Sequence, residues 1–212
     1  CSAISRYKLG WLLLMPATIS PVLLRLKETN ANVHGVKVVG CMADLVPAAQ
    51  IAEVTEFLDA PFVNSFGATE TGLPPATGHL IPVAEIPTDL SKKMSSLCEF
   101  RLVNENNEDV LPGEIGEALL RGPTLFSGYW NAPEVNARDF RDDWFRMGDL
   151  LKQTPSGGLE FVGRSKYMIK SGGENIYPAE IERVLLLDKR IDEAAVVGKK
   201  DSHWGEIVTV FI

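Results

Sequence analysis

Residues 163 to 182 bring cationic side chains, a glycine pair and a helix start close together. Arg164 and Lys166 supply cationic donors, and Gly172 and Gly173 would let a backbone or a ligand approach closely because they carry no side chain. Pro178 suits the first position of a helix whose first turn also holds glutamate. A hairpin followed by an ordinary surface helix would fit the same pattern, so this segment alone assigns no function.

A second group of polar residues follows an apolar segment at residues 60 to 63 that is typical of a buried strand. Ser65, Gly67, Thr69 and Glu70 place hydroxyls, backbone N–H groups and one carboxylate just after it. Open α/β sheets bind ligands at the carboxyl ends of their strands. The pattern therefore predicts a ligand site at this strand end.

A third candidate is Asp149, which follows Gly148 at the end of an apolar run that starts at residue 144. The dipeptide predicts a turn that presents one carboxylate. Gly-Asp pairs form turns more often than they form functional sites. Asp149 is therefore a candidate site residue only in combination with the two polar segments described above.

The sequence as a whole resembles the adenylate-forming superfamily, which includes acyl- and aryl-CoA synthetases, peptide-synthetase adenylation domains and beetle luciferases. Residues 65 to 70 are similar to its aromatic-Gly-x-Thr-Glu motif, and residues 145 to 150 to its Gly-Asp-Leu motif. Residues 116 to 131 resemble its Gly-Glu, Arg-Gly and Gly-Tyr-Trp-Asn segment, and residues 163 to 182 its hinge and following loop. The four motifs occur in the family's order, so the resemblance implies an acetyl-CoA synthetase-like fold, present here in part.

The resemblance also implies a reaction in two steps. A small-molecule carboxylic acid attacks the α-phosphate of ATP to give an acyl-adenylate and pyrophosphate, and the thiol of coenzyme A then displaces AMP. The implied cofactors are ATP, Mg²⁺ and coenzyme A. The wording of residues 171 to 182 is most similar to acyl- or aryl-CoA ligases. Two alternatives stay open, a non-catalytic nucleotide-binding module and an adenylation domain that acts on a carrier protein.

Several roles for the first motif follow from the resemblance. Glu70 matches the magnesium-associated glutamate, and Thr69 would contact the α-phosphate; both are therefore expected to be catalytic. Phe66 stands where the family has the aromatic residue that stacks near adenine. Ser65 and Gly67 complete the nucleotide-binding loop.

The later motifs imply the remaining roles. Asp149 matches the carboxylate that accepts hydrogen bonds from both ribose hydroxyls, and Arg164 would add a ribose contact. Lys166 occupies the hinge position, where rotation of a few backbone torsions would let a lid domain serve both half-reactions. The pantetheine channel of coenzyme A would be lined by Ser171, Gly172 and Gly173.

Two further motifs of the family are expected outside this stretch of sequence. The phosphate-binding Ser/Thr/Gly loop should lie before residue 1, and the catalytic lysine after residue 212. We therefore expect this chain to be an internal piece of a longer enzyme.

Composition narrows the class of protein. With 45% hydrophobic and 23% charged residues among 212, the chain can form a packed core. A net charge of −7 and the lack of clustered Lys and Arg argue against nucleic-acid binding. The lysine pairs at 92 to 93 and 199 to 200 are expected to be solvated. The most hydrophobic run, residues 11 to 15, is far shorter than the ~20 residues that span a bilayer, so we expect core and no membrane span.

Cysteine and histidine give no sign of a structural metal. The three cysteines, at positions 1, 41 and 98, have no metal-like or redox-like spacing and suit a reducing compartment, which predicts a cytoplasmic protein. The three histidines are far apart in sequence and are expected to be surface or packing residues: His34, His79 and His203.

Hydrophobic periodicity predicts three regions. Residues 1 to 78 show a βαβ pattern, with helices at 16 to 27 and 47 to 59 and strands at 36 to 39 and 62 to 63, and Asp44 could cap the second helix. This region is expected to belong to the parallel α/β layer of a larger domain.

The other two regions are predicted to be smaller. Residues 79 to 165 should form a β-rich subdomain, with strands at 99 to 103, 117 to 121 and 159 to 162 separated by turn residues. Residues 166 to 212 should form a truncated α+β lid. Its expected elements are a hairpin, a helix at 178 to 187, a strand near 194 to 198 and a final strand.

Overall fold

The computed structural model describes residues 2–29, 33–188 and 190–212. These residues form two compact units. The first unit contains residues up to Gly67 together with Ala76–Lys93, and the second contains Ala68–Pro75 and Met94–Ile212. Cys1 lies outside the described residues, as does the side chain of Cys41, so the predictions about these two thiols have no structural counterpart.

The first unit alternates helices and strands up to its third strand. Its elements are α1 (Ser2–Tyr7), β1 (Trp11–Leu13), α2 (Pro16–Thr29), β2 (Val38–Cys41), α3 (Ala48–Leu58), β3 (Phe62–Phe66), β4 (Ala76–Ile81) and β5 (Lys92–Met94). Strands β1, β2 and β3 pair in parallel, and β4 runs antiparallel to β3. The βαβ pattern predicted for this region is therefore present.

The two long helices of this unit bury the residues that their periodicity predicted. Helix α2 buries Ile19, Leu23 and Leu26, and α3 buries an equivalent set that includes Ile51 and Leu58. Each such side chain contributes about 1.5–3 kcal/mol when it leaves water. The helices therefore hold β2 and β3 in place, so that the carboxyl ends of these strands are fixed.

The run at residues 11 to 15 is less buried than predicted. Leu14 is buried, but Trp11, Leu13 and Met15 are each more than 60% exposed. Among the described strands β1 lies at the end of the order and pairs with β2, so it has the position of an edge strand. None of the helices in the described part of the chain combines the length and hydrophobicity needed to cross a membrane.

Two predictions about charged residues in this unit are wrong. Asp44 does not cap α3, because the N-cap residue is Pro47 and no side chain caps this helix start. Instead, Lys92, predicted to be solvated, is 0% exposed and donates to both carboxylate oxygens of Asp44 at 2.8 and 2.9 Å. Asn64 also donates to Asp44, at 3.3 Å, so the buried carboxylate accepts three hydrogen bonds. A buried ion pair of this kind survives only with such partners.

The second unit begins with a short 3₁₀ turn and then forms two sheets. The elements of its first sheet are β6 (Glu99–Val103), β7 (Ile115–Arg121), β8 (Phe140–Arg141), β9 (Trp144–Gln153) and β10 (Leu159–Arg164), with α4 (Pro133–Asp139) before β8. The strand order is β10-β9-β7-β6, all neighbours antiparallel, and β8 pairs with β9. The predicted β-rich character of this region is observed.

The second sheet holds the carboxyl-terminal elements. They are β11 (Ile169–Ser171), β12 (Glu174–Ile176), α5 (Pro178–Leu185), β13 (Ala195–Asp201) and β14 (Gly205–Phe211), with strand order β12-β11-β14-β13. Each predicted element occurs within a few residues of its expected position. The α/β, β-rich and α+β regions agree with the predicted fold class.

Candidate active site

Strand β9 carries Asp149, and the predicted turn at this dipeptide is wrong. Gly148 and Asp149 lie inside a strand of ten residues that pairs with β7 on one side and β10 on the other. The register with β7 shifts around Asp149, and Gly148 has φ +76°, so the strand is locally irregular. The irregularity orients Asp149 toward the end of β10, where Arg164 is its register partner.

Asp149 and Arg164 form an ion pair. Arg164 Nε lies 3.0 Å from Asp149 Oδ1, and Arg164 Nη2 donates to the carbonyl of Met147 at 2.9 Å. Ser165 Oγ donates to the carbonyl of Gly148 at 3.2 Å. The start of the predicted hinge is therefore tied by side chains to the strand that carries Asp149.

The electrostatic surroundings of Asp149 are unusual for a paired carboxylate. Burial raises the pKa of Asp149 to about 6, because the 6% exposed side chain has lost most of its hydration. Arg164 lowers this pKa, whereas the negative charges of Glu117 and Glu70 raise it. Glu117 is itself held by Arg146. Asp149 and Glu70 are thus close enough to sense each other's charge.

Glu70 lies in the 3₁₀ turn Thr69–Thr71. Two hydrogen bonds of the Thr71 hydroxyl stabilise this turn. The hydroxyl of Thr71 donates to the carbonyl of Ala68 at 2.8 Å and accepts from the Ala68 N–H at 3.1 Å. Thr69 is exposed and Glu70 is half-buried. The turn therefore leaves Thr69 exposed to solvent and Glu70 partly covered.

The carboxylate of Glu70 has one fixed oxygen and one open oxygen. Tyr129 Oη donates to Glu70 Oε1 at 2.8 Å, and within the described part of the chain Oε2 has no hydrogen-bond partner. Burial and the carboxylate of Glu70 raise the pKa of Tyr129 to about 12, so this phenol stays a neutral donor. Tyr129 belongs to a predicted motif, but reasoning from the sequence assigned it no role. The residue type gave a weak signal, because the hydroxyl of a buried tyrosine usually finds a hydrogen-bond partner.

The remaining residues of the first motif belong to the first unit. Ser65 and Phe66 end β3, and Gly67 follows it. Ser65 and Gly67 are half-buried, whereas Phe66 is 1% exposed. A purine could therefore stack on the ring of Phe66 only after neighbouring side chains move.

The predicted hinge and channel residues lie around the β11–β12 hairpin. Lys166 is exposed in the 3₁₀ turn Ser165–Tyr167, with its Nζ 4.6 Å from the centre of the Tyr167 ring. Ser171 ends β11 and is followed by Gly172 and Gly173, both at positive φ.

Gly172 has a second reason to be glycine. A Cβ at this position would lie 2.7 Å from the ring of Trp204, and the Gly172 N–H donates to the carbonyl of Trp204 at 2.9 Å. The hairpin tip is thus packed tightly against the start of β14, whereas a Cβ at Gly173 would meet no atom within 4 Å.

A cavity of 160 Å³ lies elsewhere in the second unit, and its lining residues do not indicate a ligand. It is bordered by Trp144 and by arginines that already have acidic partners, such as Arg101 with Asp109 and Arg146 with Glu117. In the residues that the structure describes, no group of three or more His, Cys, Asp or Glu is arranged to hold a metal ion. The histidines at 34, 79 and 203 are all exposed.

Known proteins that are similar to this chain include several CoA ligases. The chain is 36% identical over 218 aligned residues to the indoleacetate–CoA ligase of Aromatoleum aromaticum. The alignment covers 99% of this chain and 41% of that protein. The structure matches an anthranilate CoA ligase in complex with anthranoyl-AMP, with TM-score 0.85, 26% identity and coverage of 100% of this chain and 40% of that one. It also matches the o-succinylbenzoate CoA synthetase of Bacillus subtilis in complex with ATP and magnesium ion, with TM-score 0.79, 28% identity and coverage of 99% and 42%.

These matches establish the family and the fold. The chain spans about two fifths of the length of the curated relatives that it matches. The structural matches confirm the predicted adenylate-forming fold, present in part. Because the model of the AMP-binding enzyme family also matches residues 1–130, this chain belongs to the AMP-binding enzymes of the adenylate-forming superfamily.

Proposed function

We propose that the protein carrying this chain is an acid–CoA ligase that activates a carboxylic acid with ATP and transfers the acyl group to coenzyme A. The observation that carries the proposal is that Glu70, Asp149 and Arg164, which are distant in sequence, lie in one compact unit where their charges interact. The activities named for the relatives above support the same reaction.

Asp149 and Arg164 are proposed to hold the ribose of the nucleotide. The two oxygens of an ionised carboxylate can accept hydrogen bonds from two vicinal hydroxyls. Arg164 keeps one oxygen of Asp149 oriented at 3.0 Å, and more than a third of the Arg164 side chain is exposed, so its guanidinium can also reach a ligand. Ser65, Phe66 and Gly67 are proposed to bind nucleotide, as their motif implies.

Thr69 and Glu70 are proposed to act on the phosphates. The exposed hydroxyl of Thr69 can donate to an α-phosphate oxygen, where negative charge develops as the acid attacks. Glu70 suits Mg²⁺ because this cation is commonly held by one or two carboxylates and by substrate phosphates, and Oε2 of Glu70 is open. When bound, Mg²⁺ neutralises charge on the phosphates.

Lys166, Ser171, Gly172 and Gly173 are proposed to serve the second half-reaction. Lys166 lies between β10, which carries Arg164, and the hairpin, so rotation there would move the elements after it as a lid. The glycines would leave room for the pantetheine arm of coenzyme A. Lid movement excludes water from the acyl-adenylate, which would otherwise hydrolyse.

The domain organisation proposed with this function has three parts. Residues 1 to 78 belong to the α/β layer of a large domain, residues 79 to 165 form its β-rich subdomain, and residues 166 to 212 begin the lid. We also propose a cytoplasmic location, because the cysteines have no spacing typical of disulfide-stabilised or metal-binding proteins.

A pyrophosphate-release screen tests the function. The protein that carries this chain is incubated with ATP, Mg²⁺ and a panel of acids, with and without coenzyme A. The panel starts with aryl acids because indoleacetate, anthranilate and o-succinylbenzoate are the acids named for the relatives. We expect pyrophosphate with at least one acid, followed by its acyl-CoA.

Other outcomes of the screen would favour the alternatives. Nucleotide binding with no turnover for any acid would indicate a non-catalytic nucleotide-binding module. Thioester formed on a carrier protein and never on coenzyme A would indicate a carrier-dependent adenylation domain. A Glu70→Gln variant that releases pyrophosphate at the normal rate would contradict the role given to Glu70.

A further inference from the structure

Glu70 and Tyr129 are 59 positions apart in sequence but joined by a hydrogen bond of 2.8 Å between Tyr129 Oη and Glu70 Oε1. Both residues are half-buried, so the bond is partly shielded from competing water. A phenol donates one proton and cannot neutralise the carboxylate. Its effect is to fix the direction of Glu70 while leaving the negative charge available.

Tyr129 is itself held in place by one side chain. Asn136, in α4, accepts from the Tyr129 N–H through Oδ1 at 2.8 Å and donates to the Tyr129 carbonyl through Nδ2 at 2.9 Å. A Cβ on the neighbouring Gly128 would lie 3.1 Å from the same Asn136 Oδ1. The backbone at Tyr129 is therefore fixed by two hydrogen bonds and a close approach, which few loop residues have.

Phe126 holds the backbone of Glu70 and the ring of Tyr129 at the same time. Its N–H donates to the carbonyl of Glu70 at 2.9 Å, and its ring meets the Tyr129 ring edge-on with centroids 4.8 Å apart. The ring of Phe126 also packs edge-on against Phe145 of β9, at 5.2 Å. The backbone and the side chain of Glu70 are thus positioned by the same short segment.

We propose that Tyr129 is a positioning residue that orients the carboxylate of Glu70 for a magnesium–nucleotide complex, with Asn136 holding Tyr129 in place. This inference rests on the proposed function. Oε1 is fixed by the phenol and Oε2 faces no protein donor in the described residues, so Glu70 can offer one oxygen to the cation without first rotating. Groups that orient a metal-binding carboxylate contribute to metal affinity although they do not touch the metal.

The test compares Tyr129→Phe with Tyr7→Phe in the protein that carries this chain. Both changes remove one hydroxyl, but Tyr7 is 64% exposed and lies in α1 of the other unit. The thermal shift given by a non-hydrolysable ATP analogue is measured while Mg²⁺ is titrated. We expect Tyr129→Phe to raise the half-saturating Mg²⁺ concentration about 10-fold or more, and Tyr7→Phe to leave it unchanged.

Binding of AMP without metal provides the check on folding. Tyr129→Phe should bind AMP as the unmodified protein does, because the ring and its packing remain. In a Glu70→Gln background, Tyr129→Phe should add little further loss of Mg²⁺ response, since the phenol acts through Glu70. Asn136→Ala should shift the Mg²⁺ titration in the same direction as Tyr129→Phe.

Three outcomes would overturn the inference. Normal AMP binding with an unchanged Mg²⁺ titration in Tyr129→Phe would overturn it alone and leave the proposed function in place. Additive losses in the Tyr129→Phe and Glu70→Gln double variant would show that the phenol does not act through Glu70. Binding of the ATP analogue that is independent of Mg²⁺ in the unmodified protein would overturn the inference, whereas the pyrophosphate-release screen tests the proposed function separately.

Discussion

Replacing Asp149 with asparagine should stabilise the fold at neutral pH while it weakens nucleotide binding. Asp149 is buried and its pKa is raised to about 6, so folding disfavours its ionised form. In the unfolded chain the same carboxyl ionises near pH 3.8. The ionised group therefore destabilises the fold above pH 6 and costs little below pH 4, so stability falls as the pH rises between these values.

The size of the effect follows from the difference between the two pKa values. The difference between a pKa of 3.8 in the unfolded chain and a pKa of about 6 in the folded protein corresponds to about 3 kcal/mol of stability at pH 7. At pH 4.5 the remaining cost is about 1 kcal/mol, because the folded protein then keeps its proton. Asparagine has nearly the same shape and carries no charge, so Asp149→Asn should gain most of these amounts.

Urea denaturation of both proteins between pH 4.5 and 7.5 measures the effect. The free energies of unfolding should differ most at pH 7.5 and converge toward pH 4.5. Glu117→Gln is the matched control, because it removes a negative charge that raises the pKa of Asp149, so Asp149→Asn should gain less stability at pH 7.5 in this background. Arg164→Gln removes the charge that lowers this pKa, so Asp149→Asn should gain more stability at pH 7.5 in this background.

Asp149→Asn should lower the affinity for nucleotide although it raises the stability of the fold. If Asp149 holds the ribose as proposed, the hydroxyls donate to its ionised form, so AMP binding to the unmodified protein should weaken as the pH falls below about 6. The affinity of Asp149→Asn should be lower at pH 7.5 and nearly independent of pH. A destabilised Asp149→Asn at pH 7.5, or a stability difference that does not vary with pH, would refute the electrostatic reasoning.

Two further predictions concern other parts of the chain. Lys92→Met should lower the free energy of unfolding in urea by about 3–5 kcal/mol, because it leaves the carboxylate of Asp44 buried without its cation. Adding Asp44→Asn should recover most of this loss, and equal losses in the single and double variants would contradict the reasoning. Gly172→Ala should slow thioester formation from a supplied acyl-adenylate more than Gly173→Ala does. Both glycines lie at positive φ, but only a Cβ at Gly172 would meet the ring of Trp204. Equal rates in the two variants would show that packing against Trp204 does not affect this step.

The sequence predicted elements best where local patterns were strong. Helix α2 buries Ile19, Leu23 and Leu26 as its periodicity indicated, and β6 has the predicted bounds. The strand containing Asp149 was missed because Gly148 resembles a turn residue, and only pairing with two neighbouring strands reveals the irregularity there. Local propensity carries no information about such long-range pairing.

Contacts between residues distant in sequence account for the other errors. Lys92 looked like half of a solvated pair because its partner Asp44 is 48 positions away, and nothing near either residue indicates the pairing. The hydrogen bond between Tyr129 and Glu70 escaped prediction for the same reason. The two residues were each part of a motif, but motifs give residue types and order and do not give distances.

The arrangement of carboxylates in the second unit is an argument for binding and against a purely structural role. A structural ion pair normally lowers the pKa of its acid, yet the pKa of Asp149 is raised although Arg164 lies 3.0 Å away. Burial is the main cause, and Glu70 and Glu117 add to it. A fold selected for stability alone would replace such a group with a neutral one, since this removes the cost. In the proposed function, ribose hydroxyls would donate to Asp149 and a cation would offset the charge of Glu70, so a magnesium–nucleotide complex would compensate the charge that burial leaves poorly solvated.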